Sequence, residues 1–390
     1  SSTSITMEQD SNLYLSGQLT GAERFEGGNN PDVNTFPAWQ GCRYGFIAKY
    51  TYEGDPDWLM VQYNQTFAEL HEVQYDPAPG DIFTTGTLDP NNASFFLLYS
   101  NPGLTLSGLT LQAQPSSFNR AASLLRMDQN GGVTWRTTYQ KNGFAHGRYL
   151  EFKGKEVVVA VDQIFSKTQA ASTLLYYTTS GLFVNDGTFY PGGALYHQAF
   201  GLALDAQGNA YVQTTTWPTQ ETYISKYKVT SGGIGPFYFS QPLPNYGSSH
   251  HSLNTDMVHD QLVSQLVYTP GSNPVGIIVG LDQTANSWNQ AVAAPVIHSF
   301  FTANPSAMTR GIGGNIYSGG SIPGTATFDL FGTALQASSV GFRDFYVTRH
   351  QYNGNAPAIF NRVWLDEPAI AEALAPFSEG LDNEVQVFPN

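Results

Sequence analysis

The chain has 390 residues, of which only 12% are charged, with 31 acids against 17 bases and a net charge of −14. With Lys and Arg this scarce and nowhere clustered, nucleic acid and anionic membrane surfaces are excluded as partners. The single cysteine, Cys42, excludes an intrachain disulfide framework and a Cys-based zinc site, and no run approaches the ~18 apolar residues of a membrane span.

The rest of the composition points to an all-β, exported protein. Gly (39), Tyr (22) and Phe (25) are abundant, and Thr, Ser and Asn are frequent. The chain opens SSTSITMEQ, with neither an initiator Met nor a signal peptide, and reads as a processed, mature form.

Taken in order, the sequence falls into six repeats of short alternating runs, the signal of half-buried strands. The first spans residues 4–64 and holds NLYLSG and YGFIAKYTYEGDPDW. The second, residues 70–139, holds GDIFTTG, a long insertion and ASLLRMDQNGGVTWRTTY. The third covers residues 145–187. The fourth, residues 197–240, carries the fewest additions: FGLALD, GNAYVQTTT, TYISKYKVT and GIGPFYFS. The fifth covers residues 251–293. The sixth, residues 307–364, holds GNIYSGG, an insertion and RDFYVTRHQYNG. Residues 365–390 form a C-terminal tail.

Equivalent positions on the second strand of each repeat are Tyr14, Phe83, Val158, Tyr211, Val263 and Tyr317. An aromatic recurs after the third strand, at Trp58, Trp135, Phe183, Phe237 and Trp288. A four-stranded sheet cannot bury both faces alone, so neighbouring sheets must stack and share such a layer. The expected fold is a β-propeller of four-stranded antiparallel blades within one domain, residues 1–364. Six blades follow from the repeats, and seven if the long insertion holds another.

The runs NLYLSG with YGFIAKYTYEGDPDW, and NIYSGG with GFRDFYVTRHQYNG, resemble the SBBP family of bacterial β-propeller repeats. The middle repeats depart from that pattern, and the third lacks both its Trp and its Lys. The resemblance implies a propeller and an exported protein, and no shared catalytic motif. The final VQVFPN resembles the start of the C-terminal sorting domain of type IX secretion substrates. It implies a place outside the cell, or on the surface, of a Gram-negative bacterium of the Bacteroidota type.

For function, His71, His146, His197 and His251 sit at or just before the first strand of four repeats, with His250 beside the last. An axial imidazole cluster holding a metal or an anion is one reading. Blade-to-blade hydrogen bonding is the other. The acid-Gly turns DAQGN, DQNGG and EGD lack the alternating oxygen ligands of a calcium loop and read as turn caps. Trp39, Phe95, Phe96 and Tyr99 lie in the insertions as candidate contact residues, as do Val385, Val387 and Phe388 in the tail. None of the common nucleophile, zinc or phosphate-loop signatures is present, so no catalytic residue and no cofactor is assigned.

The expected function is therefore that of a non-catalytic structural, adhesive or filament-forming surface component. It would act through its insertions and tail, by self-association or by binding other surface proteins, with glycans as further candidate partners. The alternatives are a polysaccharide lyase or hydrolase using the axial His residues, and a carbohydrate-binding lectin.

Overall fold

Alternation of apolar and polar residues at period two, broken every 7 to 11 residues by Gly, Asp, Asn or Ser, leaves the chain little choice but strands. The computed structural model describes residues 2–8, 12–19, 24–25, 33–34, 43–51, 55–64, 66–92, 94–100, 103–111, 120–189, 196–205, 207–217, 219 and 221–242. From 251 to 365 it describes strands alone, and side chains are described as far as residue 235.

The strands, in chain order, are β1 (Ser2–Glu8), β2 (Asn12–Leu19), β3 (Arg24–Phe25), β4 (Val33–Asn34), β5 (Tyr44–Thr51), β6 (Pro56–Asn64), β7 (Ala68–Asp76), β8 (Asp81–Leu88), β9 (Ser94–Ser100) and β10 (Gly103–Leu111). Next come β11 (Ala121–Met127), β12 (Val133–Tyr139), β13 (Phe144–Lys153), β14 (Glu156–Ser166), β15 (Gln169–Thr178), β16 (Phe183–Phe189), β17 (Tyr196–Leu204), β18 (Asn209–Trp217), β19 (Thr222–Thr230) and β20 (Gly233–Pro242). The last are β21 (His251–Val258), β22 (Gln261–Tyr268), β23 (Val275–Leu281), β24 (Val296–Phe301), β25 (Asn304–Arg310), β26 (Asn315–Ile322), β27 (Thr325–Leu330), β28 (Thr333–Ser338), β29 (Asp344–Asn353) and β30 (Ala356–Leu365).

The protein is all-β and built of antiparallel meanders. Four-stranded sheets run β7-β8-β11-β12, β13-β14-β15-β16, β17-β18-β19-β20 and β25-β26-β29-β30. Two sheets have six strands, β1-β2-β5-β6-β9-β10 and β21-β22-β23-β24-β27-β28, and β3 pairs with β4 alone. In both six-stranded sheets the extra pair is borrowed. The hairpin β9-β10 leaves the chain between β8 and β11 of the second sheet, yet pairs with β6 of the first. The hairpin β27-β28 leaves between β26 and β29 of the sixth sheet and pairs with β24 of the fifth. Each long insertion thus extends the sheet before its own.

Contacts divide the chain into two compact units, Ser1–Ala199 with Tyr227–Phe237, and Phe200–Lys226 with Tyr238–Asn390. In the first unit, β7 packs on β1 and β2, and β13 packs on β7 and β8; in the second, β21 packs on β18 and on β25. The second sheet is covered on both faces. Leu70, Val73, Ile82, Leu125 and Met127 meet Tyr14, Ile47, Trp58 and Phe96 of the first sheet. Phe83, Ala122 and Leu124 meet Leu150, Val157, Val159 and Tyr177 of the third. That is why every residue of β8 is buried. It also corrects an expectation for the insertion: Phe96 is fully buried and Tyr99 is only 9% exposed, because β9 joins the first sheet and packs with it. Phe95, on the same strand, is 42% exposed.

Two hydrogen-bonded ties recur between successive sheets. On the fourth strand of the first two sheets, Trp58 Nε1 donates to the Gln129 carbonyl at 2.9 Å, and Trp135 Nε1 donates to the Thr179 carbonyl at 2.8 Å. Each indole lies against a turn glycine with positive φ, Gly131 (82°) and Gly181 (89°). A Cβ on Gly131 would sit 3.3 Å from the Trp58 ring, and one on Gly181 would sit 2.9 Å from the Trp135 ring. Strand register places Asn185, opposite Tyr176, where Trp135 stands opposite Arg126. Phe183 is therefore not the third member of the series. Asn185 takes over the tie, accepting from Ile234 N at 2.8 Å and packing against Gly233.

The second tie follows from a β-bulge in the first strand. Pairing skips one residue between Ser2 and Ser4, between Leu70 and Glu72, and between Gly147 and Tyr149. It does so again between Ser252 and Asn254 and between Pro305 and Ala307. A bulge re-aims the side chain beside it. The residue after the bulge reaches the next sheet: Ser4 Oγ accepts from Val73 N at 3.4 Å, and a Glu72 carboxylate oxygen accepts from Leu150 N.

These ties set a stability test. Trp135→Phe keeps an aromatic ring and loses one partly buried hydrogen bond, an expected cost of about 1 kcal/mol. Gly181→Ala adds left-handed strain to a collision and is expected to cost about 1–3 kcal/mol more than that. Urea unfolding midpoints check the order, and a Gly181→Ala protein as stable as the parent would contradict it.

Candidate functional site

The first strands place a charged cluster where β7, β13 and β14 meet. Glu69 stands on β7 two residues before its bulge, opposite Thr87, and His71 occupies the bulge. On β13, His146 stands opposite Asp162 and Arg148 occupies the bulge. His71 and Arg148 are thus equivalents, whereas His146 shares its position with Glu69 and with His251, which pairs with Val267 before the bulge of β21. The four histidines expected in one phase are split by the register. His197 is fully buried on β17.

The cluster is a chain of contacts. Arg43 Nη1 lies 3.4 Å from Glu69 Oε1, and His71 Nε2 lies 3.3 Å from Glu69 Oε2. Arg148 Nε donates to Asp162 Oδ2 at 2.8 Å, while Asp162 Oδ1 accepts from Ala199 N at 2.7 Å. Asp162 is fully buried. The Thr87 hydroxyl lies 3.3 Å from His146 Nδ1. Arg43 and Arg120 both approach the Phe67 ring, at 5.9 and 4.6 Å from its centroid.

Burial and charge set the protonation of these groups. Burial, reinforced by the positive charges of Arg148 and Arg120, pulls His146 down to about 3. It is neutral near pH 7 and too weakly basic to take a proton there. Burial also lowers His71, against the pull of Glu69. For Glu69 burial acts upward, but the His71 hydrogen bond and the charges of His71, Arg148 and Arg43 outweigh it and leave the carboxyl below its usual range. Burial raises Asp162, opposed by Arg148 and the Ala199 amide.

Among the described residues no three His, Cys, Asp or Glu side chains come together as a metal site. His71 and His146 instead share their surroundings with Arg148, a cation that a metal ion would have to approach. The acid-Gly turns DQNGG and DAQGN are caps, whereas Glu53 and Gly54 of EGD lie outside the described residues. Asp128 Oδ1 accepts from Asn130 N and Gly132 N at 2.8 and 2.9 Å, and Asp205 Oδ1 accepts from Gln207 N and Asn209 N at 2.9 and 2.7 Å. Trp39, Cys42, His250, Val385, Val387 and Phe388 lie outside the described residues.

A second constellation, not singled out from sequence, repeats from the end of the first strand onto the second and third strands. Glu8 accepts from Asn12 Nδ2 at 2.7 Å and from the Tyr14 hydroxyl at 2.9 Å, with Lys49 6.0 Å over the Tyr14 ring. Asp205 accepts from Asn209 Nδ2 at 2.5 Å and from the Tyr211 hydroxyl at 3.0 Å, with Lys226 5.2 Å over the Tyr211 ring. Arg126 likewise lies 5.7 Å over Phe83. The shared spacing, acid then Asn four and Tyr six residues on, was the available signal. These groups bind one another and make a structural motif.

The sequence matches no protein-family model and no curated protein. Among solved structures it is similar to a mutant of NanB sialidase from Streptococcus pneumoniae, at 10% identity and a TM-score of 0.37, over 83% of this chain and 52% of that one. A prolyl endopeptidase gives 12% identity and a TM-score of 0.39, over 91% of this chain and 48% of that one. The tail fiber of Staphylococcus aureus phage P68 gives 9% identity and a TM-score of 0.22, over 92% of this chain and 93% of that one. The chain spans about half the length of the first two. Likenesses this slight carry no argument about its activity.

The buried imidazole makes a pH prediction. An unfolded His titrates near pH 6.5, whereas His146 in the fold titrates at about 3. Between those values the unfolded chain binds a proton that the fold does not, so stability falls as pH drops through the window. His146→Gln is expected to flatten that fall, read from urea midpoints at pH 7, 5 and 4. Identical pH profiles for variant and parent would contradict it.

Proposed function

We propose that the chain is a six-bladed β-propeller that works outside the cell as a non-catalytic, self-associating surface component. The observation that carries this reading is the pair of open edges made by the insertions. The strand β10 ends the first sheet and β28 ends the fifth, each with one strand partner among the described residues. An open edge presents unpaired N–H and C=O groups, and natural edges are usually blunted by Lys, Pro or short length. β10 is nine residues long, GLTLSGLTL, with no charge and no proline, and β28, TALQAS, has neither. Such strands suit pairing with another chain.

The interior supports the same reading. Asp162, Glu72 and Asp205 bind backbone amides or neighbouring side chains, which are structural uses. The six meanders, each following the last in sequence, support the propeller. The low charge and the resemblance of the last residues to a sorting domain support export to the surface of a Gram-negative bacterium. Other surface proteins and glycans remain candidate partners of the same edges.

Electron microscopy and sedimentation across concentration test this. Assemblies that grow with concentration are expected. In β10 the pairing with β9 skips between Ser107 and Thr110, so Gly108→Pro leaves the β9 ladder intact while blocking the outer edge. That variant is expected to assemble less. A parent protein that stays monomeric at every concentration, or one that cleaves polysaccharide, overturns the reading.

A further inference from the structure

The charged cluster holds more hydrogen-bond donors than acceptors. Its carboxylates are engaged: both oxygens of Asp162 have partners, Glu69 meets Arg43 and His71, and Glu72 accepts from Leu150 N and from Gln74 Nε2. The guanidiniums are not. Arg148 donates through Nε alone, which leaves both terminal nitrogens without an acceptor among the described residues, and its side chain is 27% exposed. Arg120 faces the Phe67 ring at 4.6 Å and has no oxygen acceptor for its guanidinium among the described residues. The side chain of Arg43 is 53% exposed and meets Glu69 through one nitrogen.

The backbone brings these groups together. Ala145 N donates to the Arg120 carbonyl at 3.1 Å, which sets Arg120 beside the start of β13, next to the His146–Arg148 stretch. The Phe67 ring bridges Arg120 to Arg43, and Phe67 itself pairs with Arg43 as an isolated bridge. Three of the chain's 17 basic residues therefore gather around Glu69 and His146, with Arg43 and Arg148 acting on the first and Arg120 and Arg148 on the second, in a protein of net charge −14. Guanidinium forks match the oxygens of carboxylate and sulfate groups, and such charge-assisted bonds are about twice as strong as neutral ones.

We propose that Arg120 and Arg148, with Arg43 at the rim, form a binding site for an oxyanion group, carboxylate or sulfate, which supplies the acceptors that the cluster lacks. The site uses no residue of the edge strands β10 and β28 and does not depend on self-association.

Calorimetric titration at low salt tests it, with inorganic sulfate and trigalacturonate as the two charged probes and maltotriose as the neutral control. Binding of one or both charged probes is expected, and the stronger one identifies the source as sulfate ester or uronic acid. Arg120→Gln removes donors that hold no other residue in place and is expected to weaken binding at least tenfold, with its thermal midpoint near that of the parent. Lys167→Gln, on the exposed β14-β15 turn, is expected to bind as the parent does. No binding of either charged probe at millimolar concentration overturns the proposal. So does binding unchanged by both Arg120→Gln and Arg43→Gln, or equal binding of maltotriose.

Discussion

The contact on which the architecture depends is small: a side chain of one sheet seated on a glycine turn of the next. Trp58 rests on Gly131, Trp135 on Gly181 and Asn185 on Gly233. Each glycine is there for two reasons. The turn needs a positive φ, and a Cβ would occupy the space that the neighbouring sheet fills. A meander of four strands has two apolar faces and cannot exist alone in water, so whatever fixes the spacing between sheets fixes whether those faces are covered. The indole-to-carbonyl hydrogen bonds then fix where along the turn the contact falls.

At the other side of the first three sheets the same task is done by polar groups, and with a different consequence. The bulge in the first strand turns one residue out of the ladder, so that the following side chain reaches an amide of the next sheet. Ser4 and Glu72 do this directly, and Asp162 does it from the second strand through Ala199. Burying a carboxylate is costly unless it is fully paired, and here the pairing comes from arginines and backbone amides together. This uses up the acceptors and leaves guanidinium nitrogens over. The surplus of donors is a by-product of holding the sheets together, and it is what gives the cluster its chemical character.

The insertions show how a repeat protein adds surface without disturbing its core. A hairpin that leaves between the second and third strands of one sheet emerges at the outer edge of the preceding sheet and continues it. The apolar alternation of SFFLLY then serves two layers at once. Phe96 enters the core between the first and second sheets, and Tyr99 joins the opposite face with Leu59 and Val61. The outer edge moves two strands outward and becomes β10.

The sequence by itself determined the strands, the phase of the repeats and the second-strand aromatics. All of these rest on local alternation and turn residues, which a chain displays whatever its partners are. It also determined that DQNGG and DAQGN are capped turns, since an Asp carboxylate finds its amide donors within four residues. Only the tertiary structure decided what depends on register. A bulge is one extra residue, invisible in composition, yet it moves every later side chain to the other face. It separated His71 from His146 and made Arg148 the equivalent of the first. It gave the position of Trp135 to Asn185 and not to the nearby Phe183, because the same bulge recurs in both hairpins and sets Phe183, opposite Tyr177, where Val133 stands opposite Met127. The placing of Phe96 in the core, and of three arginines around Glu69 and His146, required strands distant in the sequence to meet, and no local pattern encodes which edge a hairpin will join.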